Sequence, residues 1–186
     1  PACPTCHDGF KLDDEYFRVV LSMRADLPEG PDAQFLRDKT KRTLRDPSAE
    51  RFRAAIQAAT VKVSLHSPDG AYVGNVAGIK LEPERIDSTA ERIVRGLYGK
   101  YFKRRLPDTH EVSVNVIDFQ KDSSAINDPQ VQELLVLLGQ RGTRRTFGNM
   151  LELWFLPTDE DHDSSIWWVR LHGAFGVIAF TLPKDG

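Results

Sequence analysis

Two cysteines and a histidine lie close together at the start of this sequence, and they carry its clearest chemical signal. They are Cys3, Cys6 and His7, and no other cysteine occurs in the 186 residues. Two thiolates at this spacing can bind one Zn²⁺ from a tight turn, but a tetrahedral structural site needs two more ligands. No second Cys pair or adjacent His pair follows, so we expect those ligands to lie upstream of Pro1.

Other interpretations of the same residues stay open. Cys-x-x-Cys-His is also the attachment signature of c-type haem, in which His7 would be an iron ligand and Met23 or Met150 a second one. The two thiols could instead be a reduced surface pair without a ligand. The remaining histidines give no further pattern, because they are isolated on predicted strands, strand edges or loops (His66, His110, His162 and His172).

The run Cys3-Pro-Thr-Cys6-His7, followed by Lys11, resembles the closing part of the HNH endonuclease motif. In that family an upstream Cys-x-x-Cys, a catalytic His and a central Asn precede a final Cys-x-x-Cys-His. The following segment, Leu12-Asp-Asp-Glu-Tyr-Phe-Arg, is also similar to bacterial proteins in which such a knuckle precedes a long helical and β region.

The resemblance implies that Cys3 and Cys6 hold a structural Zn²⁺ and that His7 helps to hold a catalytic divalent ion such as Mg²⁺. The implied reaction is metal-assisted hydrolysis of a DNA phosphodiester bond in a cytoplasmic protein. The family's general-base His and central Asn have no counterpart here, so we expect an incomplete active site. The alternative is a non-catalytic zinc-knuckle module that binds nucleic acid or another ligand.

Basic residues form clusters that are candidates for phosphate contacts, although a solvated face is the more ordinary interpretation of each cluster alone. One cluster ends a predicted helix and contains Lys100, Lys103, Arg104 and Arg105. A second lies in a predicted loop and contains Arg141, Arg144 and Arg145. A single lysine, Lys11, follows the cysteine motif. The acidic stretch 159–163 is predicted to be a solvated hairpin tip rather than a cation site. The tryptophans Trp154, Trp167 and Trp168 are predicted to pack in the core or across strands.

The overall composition excludes several classes of protein. The net charge of −2 argues against a globally basic nucleic-acid binder, and 40% hydrophobic residues argue against disorder. The sequence has no apolar run near the ~20 residues that a membrane span needs. The composition leaves the oligomeric state open.

Hydrophobic periodicity predicts the elements that must position these residues. We expect a helical region followed by a mainly antiparallel sheet with packed helices, which is an α+β fold. Segment 1–26 is predicted to hold the knuckle, a turn at Asp8-Gly9 and a helix from about Asp13, and segment 27–60 is predicted to hold helices at Asp32–Arg45 and Glu50–Ala59. Segment 61–186 is predicted to hold two helices, Pro83–Arg104 and Pro129–Leu138. Its predicted strands are a half-buried strand Val61–Leu65 and the strands Tyr72–Ile79, Glu111–Phe119, Met150–Leu156, Ser165–Leu171 and Phe175–Leu182.

Overall fold

The structure of the protein is a computed structural model that describes residues 4–24, 27–67, 69–118, 127–159, 161–173 and 175–184, with the backbone alone for residues 4–10 and 118. The helices in these ranges are α1 (Pro4–Ser22), α2 (Pro31–Arg45), α3 (Glu50–Ala58), α4 (Pro83–Phe102) and α5 (Pro129–Arg141). The strands are β1 (Thr60–His66), β2 (Tyr72–Ile79), β3 (His110–Asp118), β4 (Thr143–Phe147), β5 (Leu151–Pro157), β6 (Ser165–Leu171) and β7 (Phe175–Pro183). The expected α+β class is confirmed.

Five strands form one antiparallel sheet in the order β3-β7-β6-β5-β4, and β1 pairs with β2 in a separate hairpin. The tryptophans stabilise the sheet across strands, since Trp154 lies opposite Trp168 and Phe155 lies opposite Trp167. The rings of Phe155 and Trp167 stack with centroids 5.0 Å apart. The prediction that the tryptophans pack in the core and across strands is therefore confirmed.

The two faces of the sheet bury different helices. Trp167 and Val177 belong to the larger core, which also holds Phe17 of α1 and Val94 of α4. On the opposite face, Trp168 packs in a smaller cluster with residues of α5. Side chains from all three predicted segments, 1–26, 27–60 and 61–186, share the larger core.

Helix α1 begins earlier than the sequence indicated. It runs from Pro4 through Asp8 and Gly9, where a turn was predicted. Proline is favoured at the first helical position, and a glycine inside a helix costs only about 1 kcal/mol relative to alanine. Burial of Tyr16 and Phe17, which are at most 5% exposed, exceeds that cost.

The region around α5 and β4 also differs from the prediction. Helix α5 continues through Gly139 to Arg141, three residues beyond its predicted end at Leu138. Residues Arg144 and Arg145, which were assigned to a loop, lie on strand β4. A polar edge strand shows no hydrophobic alternation, because its backbone pairing with β5 defines it rather than a buried face.

The strands of the β1–β2 hairpin are largely exposed. Every residue of β1 is exposed, so the expectation of a half-buried strand was wrong. None of the described helices combines the length and the apolar character that crossing a bilayer requires.

Candidate functional site

The cysteine motif lies at the start of helix α1. Cys6 and His7 are the third and fourth residues of the helix, and Cys3 lies outside the described residues. The side chains of Cys6 and His7 are also outside the description, so their position is known from the backbone.

Helix α1 is fixed to the body where the hairpin joins α4. The Tyr16 hydroxyl donates to the carbonyl of Lys80 at 3.3 Å and accepts from the backbone N–H of Glu82 at 2.9 Å. Arg85 bonds Asp13 at 2.8 Å and lies 4.3 Å from the centre of the Tyr16 ring. Burial raises the pKa of Tyr16, which keeps its hydroxyl protonated as the donor that this geometry requires.

Further along α1, the Arg92 guanidinium bonds the Asp14 carboxylate at 2.8 Å. Arg85 also donates to the carbonyl of Leu12 at 2.9 Å. These contacts fix the middle of α1 through both charge and backbone. With a rise of about 1.5 Å per residue, Cys6 lies about 9 Å along the helix from Leu12. Cys6 and His7 thus lie at the start of a helix whose middle is held against the body.

Most of the predicted phosphate-binding arginines have protein partners. Arg104 pairs with Asp163 at 2.8 Å, Arg105 pairs with Asp108 at 2.9 Å, and Arg141 pairs with Asp159 at 3.1 Å. Arg144 pairs with Glu152, and Arg145 donates to the carbonyl of Arg144 at 2.9 Å. To contact a phosphate, the four ion-paired arginines would have to exchange or share a carboxylate.

The predicted lysines differ from these arginines. Lys11 is exposed on α1, four residues after His7, and this spacing places both residues on one helix face. The Lys100 ammonium lies 4.6 Å from the centre of the Phe147 ring. Lys103 follows α4 in a left-handed conformation with φ of 58°. The residues that were predicted to contact DNA thus lie in three places: on α1, at the end of α4 and in the α5–β4 region.

A second cluster, which the sequence did not reveal, joins β3 to the acidic loop (residues 158–164, between β5 and β6). The Nε2 atom of His110 lies 2.7 Å from an Asp161 carboxylate oxygen, and His110 is 8% exposed. The same oxygen accepts from the Ser164 hydroxyl at 2.7 Å. The hydrogen bond from His110 is the main cause that holds the pKa of the Asp161 carboxyl well below its usual range, and the bond from Ser164 acts in the same direction.

Asp163 connects the acidic loop to helix α4. Its carboxylate accepts from the Tyr98 hydroxyl at 2.9 Å and pairs with Arg104. The Arg104 guanidinium also donates to the carbonyl of His162 at 2.5 Å. The interpretation of 159–163 as a solvated tip was therefore wrong for Asp161 and Asp163. His110 was not isolated either, because its partner lies 51 residues away in the sequence.

The cluster of His110, Asp161 and Asp163 has the composition of a metal site, with one ligand atom from each residue within 4.8 Å of the others. Arg104 already supplies a positive charge to Asp163, however, and His110 and Ser164 satisfy Asp161. An incoming cation would have to replace that guanidinium. The geometry therefore accounts for the cluster as a set of hydrogen bonds and an ion pair that hold β3, α4 and the acidic loop together.

The comparisons with known proteins add no relative. The chain matches no protein-family model, no curated protein and no solved structure. The cysteine motif and the geometry described above are therefore the features of this chain that bear on its function.

Proposed function

We propose that this chain is the C-terminal portion of an HNH-type, metal-dependent endonuclease that hydrolyses phosphodiester bonds in DNA. One observation carries the proposal: a Cys-x-x-Cys-His motif continues into the first turn of a helix that is anchored to the body. The partial positive charge at a helix start can stabilise a thiolate there, and the thiolate is the form of cysteine that binds Zn²⁺.

The donor set fits the metals that the resemblance implies. Thiolates from Cys3 and Cys6 suit Zn²⁺, and the imidazole of His7 suits a catalytic divalent ion. A bound divalent ion would stabilise the charge that develops on the scissile phosphate. The role of this chain is then to carry Cys6 and His7 on an anchored helix, directly after Cys3 in the sequence, while the general base and two zinc ligands come from elsewhere.

Lys11 supports a DNA substrate at the same end of the chain. It is exposed, and the helix places it on the same face as His7, about one turn further along. An ammonium at this position can bind a phosphate neighbouring the one held at His7. The remaining candidates, at the end of α4 and around β4, would extend the contact along the duplex backbone.

Plasmid nicking tests the proposal. General-base assistance contributes about 10²–10⁴-fold in rate, so the 186-residue chain alone should not nick plasmid DNA in Mg²⁺ or Mn²⁺. The chain extended upstream by a Cys pair, a His and an Asn of the HNH pattern should nick it. In that form His7→Ala should abolish cutting, Lys11→Ala should weaken DNA binding, and the exposed His66→Ala should change neither.

Three results would contradict this function. Cutting by the 186-residue chain unaided, lost in His7→Ala, would mean that a base exists within the chain. A Soret absorption band that survives acid-acetone extraction would show covalent haem on Cys3 and Cys6 instead. Stoichiometric zinc with DNA binding but no cutting in the extended form would identify a non-catalytic zinc-knuckle module.

A further inference from the structure

The β1–β2 hairpin presents an apolar face that nothing in the described part of the chain covers fully. Its register places Val63 directly opposite Val76, while Val61 and Leu65 lie opposite glycines. Residues opposite each other in an antiparallel pair share a face, so these four side chains form one stripe. Each of them is 41–46% exposed. A two-stranded hairpin is only marginally stable in water without such a face being covered.

A cleft adjoins this stripe at the base of the hairpin. It has a volume of about 510 Å³, and its walls include Val61 and Val63 of the hairpin, Leu81 and Ile86 near the start of α4, and Val116 of β3. Strand β3 is also an edge of the five-stranded sheet. The apolar stripe and the cleft therefore form one continuous surface, which we name the hairpin surface.

The charges on the hairpin surface indicate what covers it. Lys80 and Asp87 both line the cleft. Neither forms an ion pair with any other residue that the structure describes. Burial raises the pKa of Asp87, because its carboxyl group is partly removed from water. No described cation pairs with this carboxylate to offset the cost of burial. The described hairpin strands add Lys62 alone, and the turn between them adds Asp69.

We propose that the hairpin surface is a two-fold symmetric interface between two copies of this chain. In such an interface residue i of one copy contacts residue j of the other and the reverse contact also forms. A neutral apolar stripe is self-complementary under this symmetry. Lys80 of each copy would meet Asp87 of the other, which gives both charges a partner that the described residues of one chain do not provide.

The size of the surface determines how stable this dimer is. A strand of seven residues is about 24 Å long, so the stripe alone is smaller than the roughly 800 Å² per partner of a standard interface. The cleft must contribute the remaining area. We therefore expect a reversible dimer that dissociates on dilution.

Sedimentation velocity of the 186-residue chain over a dilution series tests the proposal. We expect a concentration-dependent dimer. Val63→Asp should weaken it by about thirtyfold or more, because the substitution buries a charge in the apolar stripe. Ser64→Asp is the matched control, since Ser64 lies on the opposite hairpin face and should leave the dimer unchanged. Circular dichroism should show that both variants are folded.

A charge exchange tests the pairing of Lys80 with Asp87. Lys80→Glu alone and Asp87→Lys alone should each weaken the dimer, and the double variant should restore it. A structural role for either residue would not produce that restoration.

A monomer at every concentration, an equal effect of Ser64→Asp, or a double variant weaker than both single ones would overturn the proposal. A monomer whose Val63→Asp variant loses affinity for DNA would show that the surface binds nucleic acid instead. The dimer does not depend on zinc or DNA cutting, so it can fail while the proposed nuclease function stands.

Discussion

The anchoring of helix α1 can be tested with two conservative substitutions of tyrosine by phenylalanine. Tyr16 is fully buried, and its hydroxyl joins α1 to the carbonyl of Lys80 and the N–H of Glu82. Tyr16→Phe keeps the ring and its contact with Arg85 but removes both hydrogen bonds. Tyr101 provides the matched control, because its buried hydroxyl has no hydrogen-bond partner among the described residues.

The two substitutions should have different effects on stability. A lost hydrogen bond that leaves a buried polar group unpaired costs about 1–3 kcal/mol. Because the two partners of the buried Tyr16 hydroxyl belong to the exposed residues Lys80 and Glu82, water can partly replace the lost bonds, and we expect Tyr16→Phe to lower the free energy of unfolding by about 1–2 kcal/mol. Tyr101→Phe removes a hydroxyl without a partner, so it should change stability by less than about 0.5 kcal/mol or increase it.

Urea denaturation measures both values, and an unchanged dependence on urea concentration would show that the unfolded state is not altered. In the extended nuclease form, Tyr16→Phe should also increase the rate at which a chelator removes zinc, since the helix carrying Cys6 would be held less firmly. Equal destabilisation by the two substitutions would refute the argument that the Tyr16 hydroxyl anchors α1.

Three further predictions concern single positions. The pKa of Asp161 is lower in the folded protein than in the unfolded chain, so its stabilising effect should be complete above about pH 3.9 and lost as pH falls further; an acid titration of the wild type against Asp161→Asn measures this. Gly139→Ala should raise the melting temperature, because the site is inside α5 and open, whereas Gly142→Ala should lower it, because the new Cβ would lie 2.4 Å from the Leu138 carbonyl oxygen. Lys103→Gly should stabilise the fold by about 0.5–1 kcal/mol in urea denaturation, since Lys103 is left-handed, and should weaken DNA binding.

Elements with a strong hydrophobic period could be predicted from the sequence. Helix α4 and strands β6 and β7 match their predicted bounds closely, because one face or both faces of each are buried. Strand β4 could not be predicted, since its residues are mostly exposed and its pairing with β5 creates it. The half-buried assignment of β1 failed for a related reason: the alternation of Val61, Val63 and Leu65 shows that one face is apolar but not whether the same chain covers it.

The candidate sites divide in the same way. The Cys3–His7 motif is local and was visible in the sequence. The pairing of His110 with Asp161 was not, because it joins a strand start to a loop 51 residues later. Helix α2 gives another example, since its Phe35 is 58% exposed while the neighbouring Leu36 is buried. Only the position of α2 against its neighbours decides which of its apolar residues is buried.

The end of helix α4 is where stability and the proposed DNA contact make opposite demands. The left-handed conformation of Lys103 favours glycine at this position. Arg104 already forms an ion pair with Asp163, which ties the end of α4 to the acidic loop. A lysine at position 103 therefore costs stability without a described ion pair in return. If Lys103 contacts a phosphate, its removal should reduce the slope of log binding constant against log salt concentration by about one, the contribution of one released counterion. Removing Arg104 should instead loosen the acidic loop, so a salt slope that responds to Arg104 but not to Lys103 would contradict this division of roles.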